Sequence, residues 1–145
     1  MSIEFFAAIN KERLPDAQAL NAPAQALNLP LEVDFSLSGL TTYGFQLARF
    51  AGRNTGVEVG VSDMQEVRGQ FETFDEAAGS YDSVVTFAWG SNAREGAVAL
   101  ASCAALCKSF GALVYSSDDA EFLNEFALIS EVKALQSMAD DEEAT

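Results

Sequence analysis

The hydrophobic rhythm of the chain changes from segment to segment. Ile3–Ile9 (IEFFAAI) is apolar throughout, carries Phe5 and Phe6, and reads as a first strand. Pro15 suits the first position of a helix, where its missing N–H has no partner to lose. The next segment repeats AQALN at 17–21 and 24–28, and the seven-residue shift places Leu20 and Leu27 on one helical face. Pro23 lies between the copies and removes a backbone donor, which predicts a helix kinked or split at that point.

Residues 44–62 alternate with a period of two. FQLARF sets Phe45, Leu47 and Arg49 on one side and Gln46, Ala48 and Phe50 on the other. AGRNTG supplies turn residues, and VEVGV sets Val57, Val59 and Val61 opposite Glu58 and Gly60. The pattern predicts a half-buried antiparallel hairpin with its valines inward. Residues 63–82 (DMQEVRGQFETFDEAAGSYD) are acidic and interrupted by Gly69 and Gly79, which predicts a short helix near Met64–Phe71 followed by a loop.

The most organised stretch runs from 84 to 115. Ser83–Trp89 is rich in β-branched and aromatic residues and reads as a strand. Asn92 can cap the following helix, and Glu95 three residues on completes a capping box. Positions 97–107 are nearly all Ala, Val, Leu or Cys, so a helix over 92–109 is expected to be buried on most of its surface. Gly111 ends it, and ALVY (112–115) is another short strand. Asp118 with Glu121 reads as a second capping box, and Phe122, Phe126, Ile129, Val132 and Leu135 as the apolar stripe of a final helix. The expected fold is one α/β (α+β) domain over 1–138, with a mostly antiparallel sheet and the alanine-rich helix buried on one face, and a frayed acidic tail at 139–145.

Charge changes the picture more than composition does. The 145 residues, 49% hydrophobic and 21% charged, fit one globular domain. Eight Lys and Arg against 22 Asp and Glu give −14, and without the four acids of DDEE (140–143) the remainder still carries −14 + 4 = −10. Such a surface repels nucleic acid and anionic membranes and speeds encounter with basic partners, and it also serves solubility. No apolar run approaches the roughly 20 residues of a membrane span. The start has Glu4 and no basic region, so a cytoplasmic location is expected. Cys103 and Cys107, four apart among alanines and leucines, are expected to be reduced core thiols.

Candidate chemistry is sparse. There is no histidine, and Lys11, Lys108 and Lys133 lie in no recognisable motif, so no catalytic residue is assigned. A phosphate cradle between strand and helix would want several glycines, whereas Gly90 stands alone and Glu95 would repel the anion. No calcium-loop pattern occurs among the acids, and neither metal nor cofactor is expected. Trp89 has two readings, a core anchor on its strand or a partly exposed interface anchor.

The run Asp82-x-Val-Val-Thr-Phe-x-Trp89-Gly, then Glu95, an alanine-rich helix and Gly-x-Leu-Val-Tyr115, resembles small bacterial α/β immunity proteins, the cytosolic antidotes of interbacterial toxins that include type VI secretion effectors. The resemblance covers residues 82–118 best and carries no catalytic motif. It implies a protein that binds and blocks a cognate toxin; the chain is expected to be non-enzymatic, a monomer or homodimer, and to act by occluding the toxin's active site. On that reading the partner-binding residues are expected among Glu66, Glu72, Asp75 and Glu76 in the middle loop, Asp82 at its end, and Trp89. An acidic secretion chaperone for an effector protein is the alternative.

Overall fold

In the computed structural model, which describes residues 2–38 and 43–144 with side chains to 142, β1 (Ile3–Ile9) runs between two cores. Phe5, Ala7 and Ile9 enter one, Phe6 and Ala8 the other on the opposite face. A strand covered on both sides has no solvated face, which is why its sequence is an unbroken apolar run. β5 (Ser83–Trp89) and β6 (Leu113–Ser116) flank it, with Phe5 opposite Phe87 on one side and Ser116 on the other. β4 (Arg53–Asp63) pairs with β5, and β3 (Tyr43–Phe50) pairs with β4. β2 (Leu31–Val33) and β7 (Glu121–Leu123) form the two edges. The described residues make one seven-stranded sheet in the order β2-β3-β4-β5-β1-β6-β7, antiparallel at every pairing. This is the α+β domain that the alternation predicts.

Helix α4 (Ala93–Phe110) crosses one face of the sheet, flanked by α1 (Ala17–Ala26) and α5 (Glu125–Ala144). Contact on all these sides explains its alanines: Ala97, Ala101 and Ala104 are fully buried, and short side chains let neighbouring elements approach closely. Buried Ser102 satisfies its hydroxyl within the helix by donating to Val98 O at 2.8 Å. Asn92 Oδ1 accepts from Glu95 N–H at 3.0 Å, and Gly111 ends the helix in the left-handed region at φ 69°. Both cysteines are free thiols on α4. Burial, with Glu125 adding, pushes the Cys107 thiol up to about 11, and burial raises Cys103 as well.

Several expectations are corrected by the fold. Of the kink or split expected at Pro23, the split does not occur, because α1 runs through it to Ala26. Its cap is Asp16, whose carboxylate accepts from Ala19 N–H at 2.8 Å, and Pro15 lies outside the helix. The second AQALN copy leaves the helix at Leu27. Asn28 (φ 59°) donates to Gln25 O, and Leu29 to Ala24 O, closing the end as a Schellman motif with Asn where Gly is usual. In the hairpin, only Ala51 (φ 53°) and Gly52 (φ 76°) turn, a type I′ pair whose twist matches the strands, so 53–56 belong to β4.

The loop expected after Met64–Phe71 is absent as such. Residues 63–82 form α2 (Met64–Val67) and α3 (Glu72–Ala78), because Met64, Val67, Phe74 and Ala78 are all recruited to cover the second face of the sheet. There Phe6, Phe74, Tyr115 and Phe122 build an aromatic cluster with centroid separations down to 4.9 Å. Phe122 therefore belongs to β7, not to a helical stripe. The last helix is capped by Asn124, whose Oδ1 accepts from Ala127 N–H at 2.9 Å, and not by Asp118. Its buried stripe is Leu128, Val132 and Ala139, with Ile129 and Leu135 half-buried, while Phe126 points away at 79% exposure. Because Ala139 is buried, the expected tail continues the helix to Ala144, and Thr145 lies outside the described residues.

Candidate protein-docking face

The two faces of the sheet are covered unequally. Helices α1, α4 and α5 pack on one. On the other, α2 and α3 cover β1 from Phe6 onward, β6 and the start of β5, and among the described residues no helix covers β3, most of β4, the end of β5 or Glu4 at the start of β1. Alternation along β3 sends Ala48 and Phe50 into the core and Tyr43, Phe45 and Leu47 out, where they are 81%, 52% and 65% exposed. The inward valines Val57, Val59 and Val61 follow the predicted alternation, so the outward side of β4 is Gly56, Glu58 and Gly60.

Ring and glycine are matched across this pair. Leu47 is in register with Gly56 and Tyr43 with Gly60. The Phe45 ring reaches diagonally over Gly56, where an added Cβ would come 2.6 Å from Phe45 Cε2, and the Tyr43 ring lies over Gly60, where an added Cβ would come 3.5 Å from Tyr43 Cε2. The rings cover backbone that glycine leaves bare, and the absent Cβ atoms let them lie against the sheet. The outcome is an exposed apolar strip with its side chains already placed.

Carboxylates border the strip. Glu58 on β4 and Glu4 on β1 are each in register with Ala88 of β5, so the three stand in one row across the open face. With Tyr43, Gly60 and Thr86 they line a depression of about 230 Å³. Half-buried Glu95, on the first turn of α4, holds its proton more tightly than an ordinary glutamate, first because of burial and second because of the Glu58 charge. Around the same end of the sheet, a cleft of about 290 Å³ has Phe5 and Trp89 on its floor and Asp118, Asp119, Glu121 and Glu131 at its rim.

Trp89 is the core anchor of its two readings. It is 6% exposed, stacks on Phe5 with centroids 5.5 Å apart, and its indole faces Gly96 of α4. Of the carboxylates singled out from the sequence, Glu66, Glu72 and Glu76 are exposed, on helices and not on a loop. Asp75 is half-buried: Oδ2 accepts from Gly69 N–H at 2.8 Å, and buried Oδ1 has no hydrogen-bond partner. Asp82 ties β1 to β5, its Oδ1 accepting from Lys11 N–H at 2.6 Å and Ser83 O–H at 3.0 Å while its own N–H donates to Asn10 Oδ1. These acids lie on the α2–α3 side of the sheet and Trp89 on the other, so the structure does not gather them into one site.

The strip on β3 is what the sequence reading passed over, although the signal was present. Once the valines of β4 are inward, Phe45 and Leu47, on the side shared with Arg49, must face outward. Among the described residues no helix is long and apolar enough to cross a membrane, and no group of three or more His, Cys, Asp or Glu is arranged to hold a metal ion. No family model, curated protein or solved structure matches the chain.

Proposed function

We propose that the chain is a stoichiometric binder of a protein partner, acting as a cytoplasmic immunity protein that occludes a cognate secreted toxin, with the open half of the sheet as its contact face. The exposed strip of Tyr43, Phe45 and Leu47 carries this reading. Burying a side chain of that size contributes about 1.5–3 kcal/mol, and large apolar groups exposed together on a flat, rigid surface mark a protein contact. The bordering carboxylates and the net charge of −14 favour a basic partner and a fast, salt-sensitive encounter. The resemblance around Trp89 to immunity proteins supports the choice of partner.

The test is co-expression with the protein encoded beside this one. Rescue of growth and a 1:1 complex are expected, and both should be lost when Tyr43 and Leu47 are changed together to Ser. Survival of the complex in that variant moves the contact away from the strip. Absence of both rescue and complex overturns the immunity reading, and a complex with a secretion effector that is not itself toxic supports the chaperone alternative.

A further inference from the structure

We propose that the depression over Ala88 is an arginine anchor, taking a guanidinium from the partner between the carboxylates of Glu4 and Glu58, with the Tyr43 ring as its wall. The inference rests on the docking reading above and names the chemistry of the segment that docks.

Register supplies the geometry. Glu4 and Glu58 lie on either side of Ala88, two strand spacings or about 10 Å apart at Cα, with side chains on the same face. Between them and in the next row stand Ala88, Gly60 and Thr86, whose small side chains leave the floor low. Tyr43 stands beside this floor with its ring over Gly60. A flat cation entering here meets an aromatic face and two acceptors at once.

The charges point the same way. The Lys11–Asp63 ion pair involves neither Glu4 nor Glu58, and the Glu58 charge bears on half-buried Glu95. The face therefore sets the carboxylates of Glu4 and Glu58 beside the exposed apolar groups of Tyr43, Phe45 and Leu47. A guanidinium answers both features better than an ammonium, since it stacks on an aromatic ring and divides five donors between two carboxylates. A second copy of this chain is the wrong occupant, because it would bring a further charge of −14 against the same face. Anionic membranes and nucleic acid are repelled for the same reason.

The experiment is an NMR titration of the full ¹⁵N-labelled chain with N-acetyl-arginine methylamide, with the citrulline analogue as the neutral isostere. Arginine should shift the amides of Glu4, Glu58, Gly60, Thr86 and Ala88 together and saturably. The citrulline analogue, and the Glu4→Gln/Glu58→Gln double variant titrated with arginine, should each bind roughly tenfold more weakly or not at all. The spectrum of the variant before titration shows whether its fold is kept, and Glu58→Gln alone serves if the pair is not tolerated.

Equal shifts from arginine and citrulline overturn the proposal. So do shifts spread over the acids of α5, or a face closed by self-association and silent to both compounds. The two readings fail separately. A silent depression with a partner complex that still depends on Tyr43 and Leu47 removes the anchor and keeps the docking face. Saturable arginine binding with no partner complex keeps the anchor and removes the immunity reading.

Discussion

The side-chain amide of Asn21 serves Val33 as a neighbouring strand would: Nδ2 donates to Val33 O at 3.1 Å, and Oδ1 accepts from Val33 N–H at 2.7 Å. Val33 lies on the edge strand β2, and its partner sits on α1, so one side chain pairs the free edge and ties the helix to it. An open edge is a template for pairing with other chains. Asn21→Ala is expected to lower stability by about 1–3 kcal/mol, since it leaves a half-buried donor and acceptor unpaired. Urea unfolding measures the loss, and light scattering at high concentration should show the variant associating where the parent chain does not. Asn21→Asp should not restore stability, because a carboxylate cannot donate to the Val33 carbonyl.

Gly96 and Trp89 meet so closely that a Cβ at 96 would lie 2.6 Å from the indole Nε1. Helix propensity alone favours Gly96→Ala by about 1 kcal/mol. Overpacking of a filled core opposes it by about 1–3 kcal/mol, so a net loss of stability is expected. Tryptophan fluorescence reports the change directly, because Trp89 is the only tryptophan. A stability gain with an unchanged emission spectrum would show that the α4–β5 contact is looser than this geometry.

Asp75 and Glu76 are neighbours with opposite expectations. Asp75 holds Gly69 N–H and keeps a buried oxygen, whereas Glu76 is exposed. Asp75→Lys should destabilise the chain by about 1–3 kcal/mol by freeing the Gly69 amide and placing a cation against the turn. Glu76→Lys should stay within about 0.5 kcal/mol of the parent. Thermal unfolding of the two single variants separates them, and equal effects would contradict the different settings of the two carboxylates.

Glu95 links the open face to pH. Its folded-state pKa lies above the ordinary glutamate value, through burial first and the Glu58 charge second. The folded chain thus holds this proton more tightly than the unfolded chain. Ionisation of Glu95 therefore subtracts stability above the folded pKa, and the loss is relieved as pH falls through that value. Glu58→Gln should bring the Glu95 titration, followed by carboxyl ¹³C shifts, down towards the ordinary value without reaching it, since burial persists. The difference in Tm between Glu95→Gln and the parent chain should be more favourable to the variant at pH 7 than near pH 4.

How much of this was legible depended on whether the deciding forces were local. The limits of β1 and β5, the Asn92 cap, the Gly111 stop and the buried face of α4 follow from periodicity and capping within a few residues of each feature. The alternation of the hairpin likewise set Val57, Val59 and Val61 against Glu58. Whether the side bearing Tyr43, Phe45 and Leu47 would be covered depends on how far α2 and α3 reach across the sheet, which is decided by the packing of Phe74 and Met64 on Phe6 and Tyr115 and not by the hairpin's own pattern.

The same competition decided the C-terminal region. Phe122 and Phe126 fit a helical stripe four residues apart, yet an aromatic cluster around Tyr115 drew Phe122 into β7 and left Asn124 to start the helix. The row of Glu4, Ala88 and Glu58 lay beyond any local reading, because its members are brought together by the pairing of β1 with β5 and of β5 with β4. Strand order and register are chosen by the burial of both faces of the sheet at once, and that choice is made across the whole chain.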